Sequence, residues 1–350
     1  MANSLKSELA LSIELAGVLA SCVQCTHMQF EQIQALVQPD LSAVQVQIQQ
    51  CIDSPVGLIE SVAHHLVDSG GKRLRPLLVI LSARSLGYSN DEHIQAACAI
   101  ELIHSATLLH DDVVDDSTQR RGKPTGNTIW GNAASILVGD YLYSQAFKLM
   151  TRLGESDQIM KRLADATTVI AQGEVKQLVN RHNPHLEEAD YFEIITSKTA
   201  KLFEVSCVFG GLLAQASPSQ LRALEVYGLQ MGLAFQLIDD ALDYRGDNAL
   251  MGKNLGDDLA EGKATLPLIY AVAHAGEAER QLIVNSLKEG NRSDLDKINT
   301  AIVNCRALDY TLSKAKACID EALSALNELP DSPYRQALTS VATFTIERAF

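Results

Sequence analysis

Apolar residues recur along this chain at three- and four-residue intervals over long stretches, and Gly or Pro stands at or near most borders between them. The pattern predicts about ten helices or more, and no period-two alternation longer than a few residues competes with it. Between 91 and 115, with Asp91 as N-cap, the residues Ile94, Ala97, Cys98, Leu102, Ile103 and Leu109 leave little polar face, so a central buried helix is expected. Segments 132–153, 157–180, 188–214, 219–245 and 263–275 read similarly. No linker or low-complexity tract divides the chain, as a single helical domain requires. That domain is expected over 28–350, opening at Met28-Gln-Phe-Glu-Gln-Ile, with 1–27 an extension that need not belong to the fold.

Composition supports an all-α class. Aromatic residues make up only 5% and prolines number nine, which leaves few strand-favouring residues and few helix breakers. Against 43 acidic residues stand 29 Lys and Arg, a net charge of −14, which argues against a chain held to nucleic acid by counterion release. A cation, or an anion that brings cations with it, is the better partner. The seven cysteines at 22, 25, 51, 98, 207, 305 and 318 are scattered and mostly set in apolar helical stretches, as buried free thiols in a reducing compartment would be. The apolar run Leu9–Ala20 is interrupted by Glu14 and falls short of the roughly 20 residues that a membrane span needs. A cytoplasmic protein is expected.

The chemistry lies in an internal echo. Leu109-His110-Asp111-Asp112-Val113-Val114-Asp115 recurs as Leu237-Ile238-Asp239-Asp240-Ala241-Leu242-Asp243, 128 residues later. In each D-D-x-x-D the outer aspartates stack one turn apart on a helix, and the middle one is displaced to the side. Each triplet follows an apolar run and ends a helix, where burial and the macrodipole both disfavour negative charge. One such motif is readily an exposed helix end; two demand a cation, and hard oxygen ligands with room for water and phosphate suit Mg²⁺.

Basic residues gather near these motifs. Gly70-Gly71-Lys72-Arg73-Leu74-Arg75-Pro76 offers a glycine turn, three cations and a helix start near Pro76, and Lys72 with Arg75 makes a reasonable diphosphate clamp. Arg120-Arg121 lies just past Asp115, so one Arg can face a metal-bound phosphate and the other a second anion. Ser197-Lys198-Thr199 pairs an ammonium with a hydroxyl, and Gln236 lies one turn before Asp240. Lys253 and Lys263 follow the second triplet on loops, where single lysines are usually solvated. His104, two turns before Asp111, reads by itself as a satisfied core histidine. No P-loop and no nucleophile beside a base is present. What remains is chemistry in which bound metal ions stabilise a departing diphosphate, and an allylic cation forms in a water-excluded helical cavity.

From about Met28 onward these motifs resemble the trans-isoprenyl diphosphate synthases (polyprenyl synthetases), most closely their long-chain bacterial members. The resemblance rests on Gly-Gly-Lys-Arg-Leu-Arg-Pro, on Leu-Leu-His-Asp-Asp-Val-Val-Asp-Asp-Ser with Arg-Arg-Gly, on Lys-Thr, on Phe-Gln-Leu-Ile-Asp-Asp-Ala-Leu-Asp-Tyr, and on Gly-Lys-Asn-Leu-Gly-Asp-Asp-Leu-Ala-Glu-Gly-Lys-Ala-Thr-Leu-Pro. It implies antiparallel helices around a central cavity in a homodimer that condenses isopentenyl diphosphate onto a farnesyl or geranyl diphosphate primer. By that resemblance Asp111, Asp112, Asp115, Asp239, Asp240 and Asp243 hold about three Mg²⁺. Arg120, Lys198 and Lys253 grip the allylic diphosphate, Thr199 and Gln236 add polar contacts, and Lys72, Arg75, His104 and Arg121 bind isopentenyl diphosphate. Ala106 and Thr107, five and four residues before Asp111, are small and leave room for a product of about C40, which partitions to the membrane as a quinone side chain. Leu102, Ile103 or Met150 would set a lower floor. Shorter-chain synthases, class I terpene cyclases and non-catalytic subunits of heteromeric synthases are the rivals. The intact second motif argues against the last two.

Overall fold

The computed structural model describes residues 27–154, 156–245 and 255–347, which fold into a helical bundle. Phe30–Leu36 (α1), Gln38–Ile52 (α2) and Gly57–Val67 (α3) lead into Leu74–Ser85 (α4) and the long Glu92–Val114 (α5). After Gly126–Trp130 (α6) come Asn132–Met150 (α7) and Ser156–Val179 (α8). Glu188–Ile195 (α9) runs through a π turn at Thr196–Ala200 into Lys201–Leu213 (α10), so the segment expected as one helix over 188–214 is continuous but locally widened. Then follow Pro218–Leu242 (α11), Asp257–Ala260 (α12), Leu266–His274 (α13), Glu277–Glu289 (α14), Leu295–Asn304 (α15), Ala307–Ala325 (α16) and Pro333–Glu347 (α17). Among the described residues the one departure from all-α is a hairpin of two-residue strands, Gln119–Arg120 against Lys123–Pro124, which the helical periodicity did not foretell.

The apolar pattern explains the layering. Helix α5 is buried on nearly every side from His93 to Ala106 and packs against α4, α7 and α10 in the larger core. The C-terminal half of α11 with α13 to α16 encloses a second core around Leu237, Leu266, Ile283 and Ile302. Helix α11 begins at a capping box: Ser217 Oγ accepts from the Gln220 amide, Gln220 Oε1 accepts from the Ser217 amide, and Pro218 holds the first position. Helix α4 starts at Leu74, two residues before Pro76, and its N-cap Arg73 takes a left-handed φ of 49°. The first and last described helices meet: the Met28 amide donates to Ser340 Oγ, and Phe30 stacks on Phe344 at 5.0 Å.

Cys51, Cys98 and Cys207 are buried free thiols as expected, whereas Cys305 and Cys318 are only half-buried. Cys22, Cys25 and all but one residue of the expected extension lie outside the described residues. Among the described residues no helix is long and apolar enough to cross a membrane.

Candidate active site

Both aspartate motifs close their helices at one end of the bundle, with Asp115 capping α5 and Asp243 capping α11. Within each triplet burial separates the three side chains. The middle residues, Asp112 and Asp240, are each only 2% exposed and turned into the protein, while Asp111, Asp115 and Asp239 stay half-buried. Asp112 accepts two hydrogen bonds from the Arg120 guanidinium, at 2.8 and 3.1 Å. Asp240 accepts from Tyr191 Oη at 2.5 Å and from Gln236 Nε2 at 2.7 Å. Asp243, also buried, accepts from the Asp258 amide at 3.2 Å. Among the described residues no three acidic, His or Cys side chains converge tightly enough to hold a metal by themselves.

Basic side chains supply the balancing charge on α5. Asp115 pairs with Arg181 and, at 2.9 Å, with Lys263. Burial would push its carboxyl up, but Lys263, Lys198 and Arg181 together hold it below the usual range. Lys263 therefore departs from the expectation of a solvated loop lysine: it is mostly buried between Asp115 and Glu261. Lys198, in the π turn, reaches Glu174 at 2.6 Å, Gln177 at 2.8 Å and Asp111 at 3.7 Å. Its neighbour Thr199 donates to Gln236 Oε1 at 2.8 Å, which links the π turn to Asp240 through one glutamine. Among the described residues no such cation pairs with Asp240. Burial first and Asp258 second push its carboxyl up to about 8, and a cation brought from outside would favour its charged form. The donor set is therefore one of hard oxygens on two facing helix ends, which fits a divalent cation of the Mg²⁺ type.

A second basic group stands apart from the aspartates. Arg75 lies 3.2 Å from His104 Nε2 and stacks over Phe203, its guanidinium 4.4 Å from the ring centroid. Burial lowers Arg75 to about 10, with Glu101 and Asp239 opposing. His104 is held well below its ordinary value by burial and by Arg75, Arg120, Arg121 and Arg73. It is a half-buried histidine facing cations. The Arg121 guanidinium packs on Gly71, where a Cβ would meet it at 2.8 Å, and the φ of 140° at Gly71 is what favours glycine there. Lys72 rests over Phe344 at 4.3 Å. Of the expected residues, Lys253 lies outside the described ones. Ala106 is fully buried in the larger core, and Thr107 donates to the His104 carbonyl.

Sequence reasoning missed Tyr191, Glu174, Gln177, Arg181 and Glu101. Glu174 and Gln177 carry a signal, two polar residues at i and i+3 on one face of α8. Tyr191 carries none.

The polyprenyl synthetase family profile matches residues 56–304. Octaprenyl diphosphate synthase of Escherichia coli is 44% identical over 322 residues, covering 92% of this chain and 99% of that relative. The all-trans-nonaprenyl-diphosphate synthase (geranyl-diphosphate specific) of Rhodobacter capsulatus is 42% identical over 319 residues, covering 91% and 98%. The crystal structure of a polyprenyl synthase from Caulobacter crescentus, complexed with calcium and isoprenyl diphosphate, matches with a TM-score of 0.88 at 42% identity, covering 93% of this chain and 99% of that one.

Proposed function

Because the chain belongs to the polyprenyl synthetase family and is thereby a prenyltransferase, we propose that it is a long-chain all-trans polyprenyl diphosphate synthase. It would extend a farnesyl or geranyl diphosphate primer with isopentenyl diphosphate to about C40 and supply a quinone side chain. The observation that carries this reading is the presence of two separate basic groups. One is bound up with the aspartates, and the other, Arg75, His104 and Arg121, gathers beside them. Two anionic substrates would thereby be held side by side.

Asp111, Asp112, Asp115, Asp239, Asp240 and Asp243 would hold Mg²⁺, with Asp111, Asp115 and Asp239 half-buried, and Asp112, Asp240 and Asp243 also tied to Arg120, Gln236 and the Asp258 amide. Bound there, Mg²⁺ supplies Lewis acidity for the departing diphosphate. Lys198 and Arg120 would exchange their carboxylate partners for oxygens of the allylic diphosphate, and Lys253 would join them. Lys72, Arg75, His104 and Arg121 would orient isopentenyl diphosphate so that its double bond meets the allylic carbon. The proton lost afterwards goes most simply to the released diphosphate, since the condensation needs no dedicated side-chain base. Ala106 and Thr107, the small side chains on α5 before Asp111, would leave room there for the growing chain.

The same reading takes residues 28–350 as one domain in a cytoplasmic homodimer. Exposed Ile136 and Leu137 on α7 and Val175 and Val179 on α8 are the apolar surface that a second copy would cover. The test is the purified full chain with Mg²⁺, farnesyl diphosphate and labelled isopentenyl diphosphate, the product being resolved after dephosphorylation. A product of about C40 is expected. A product of three or four isoprene units would move the chain to the shorter-chain reading, and no turnover would favour a non-catalytic subunit.

A further inference from the structure

Glu101 lies on α5 one turn before His104, and its side chain is 7% exposed. A carboxylate so buried needs a partner, and Arg73 provides it as an ion pair. Arg73 also donates to the Val67 carbonyl at 2.9 Å, so one guanidinium ties the end of α3 to the middle of α5. The loop between those points is bent: Gly70, Gly71 and Arg73 have φ values of 84°, 140° and 49°. An arginine in the left-handed region costs energy that a glycine would not. Lys72 and Arg75 flank Arg73, and Arg121 packs on Gly71, so the position of Arg73 sets the aim of all three cations.

We propose that Glu101 is a positioning residue for the isopentenyl diphosphate site, holding Arg73 in its left-handed conformation so that Lys72, Arg75 and Arg121 converge on one anion. This deepens the functional reading above and rests on it. A carboxylate beneath a basic cluster could also act only as a counter-charge, and the two roles differ in sign. Removing a mere counter-charge makes the site more positive and tightens diphosphate binding. Removing a positioning group scatters the cations and weakens it.

The experiment compares the full-length wild type with Glu101→Gln, Glu101→Asp and Arg73→Met. It measures KM for each substrate at saturating concentration of the other, isopentenyl diphosphate binding by calorimetry without primer, and the thermal midpoint. For Glu101→Gln the expected result is a KM for isopentenyl diphosphate raised by about tenfold, weaker binding to match, and kcat and primer KM within about threefold. Glu101→Asp should recover part of the loss, and combining Glu101→Gln with Arg73→Met should cost little more than either alone. An unchanged or lowered KM for isopentenyl diphosphate overturns the proposal. So does a parallel loss for both substrates with a fallen thermal midpoint. A wild type without turnover would instead overturn the functional reading.

Discussion

At the scale of single residues, the site turns on which aspartates are left for a ligand. The pairing of Asp240 with Tyr191 and Gln236, and of Asp112 with Arg120, ties the middle carboxylate of each motif into the protein. Tyr191 is fully inside, and burial with Asp240 drives its hydroxyl well above the ordinary value, so it stays a proton donor. Tyr191→Phe should therefore lower stability by about 1–3 kcal/mol, the cost of leaving a buried hydrogen-bond partner unsatisfied, as read by urea unfolding. His93, fully buried at the start of α5, behaves differently. Burial lowers its pKa below 6.5, with Asp40, 3.3 Å from Nε2, opposing. The unfolded chain then binds a proton that the folded chain refuses, so this contribution to stability is present above about 6.5 and is lost as pH falls through and below it. Unfolding midpoints on either side of that pH should differ less in His93→Gln than in the wild type.

At the scale of elements, glycines set how close the helices come. A Cβ on Gly232 of α11 would lie 2.4 Å from Ala200 Cα, and one on Gly173 of α8 would lie 2.7 Å from the Lys198 amide. Both contacts fall on the π turn, whose wider coil carries Lys198 toward Asp111 and Thr199 toward Gln236. Gly232→Ala should force these helices apart, at a cost of about 1–3 kcal/mol for overpacking. Turnover should fall further than stability alone explains, because Lys198 and Thr199 move with the backbone. A thermal scan and a turnover assay on the same preparation check this.

At the scale of the whole molecule, the net charge of −14 is spread over a large surface, but Asp112 and Asp115 of the first motif already pair with cations of the chain itself. The length of α5 joins the aspartates at one end to the core at the other, so a side chain along it can act on product length without touching a diphosphate. Ala106→Tyr should shorten the product to about three or four isoprene units, with some loss of thermal midpoint because Ala106 is fully buried. Chromatography of the dephosphorylated product reads this directly, and an unchanged length would place the floor lower, toward Leu102, Ile103 or Met150.

Helical class, the buried character of α5 and the doubled aspartate motif were all legible in the sequence, because each is a local regularity of period or spacing. The clustering of Arg75, His104 and Arg121 was legible only as residue types with a resemblance behind them. The hairpin at Arg120 and the π turn at Lys198 were not legible, since both depend on what packs beside them. Whether an aspartate faces outward or is tied inside, whether Lys263 is solvated or bridges Asp115 and Glu261, and which tyrosine reaches Asp240 were decided by tertiary structure alone. These partners lie up to 148 residues apart, and no short-range pattern can encode a contact made across that distance.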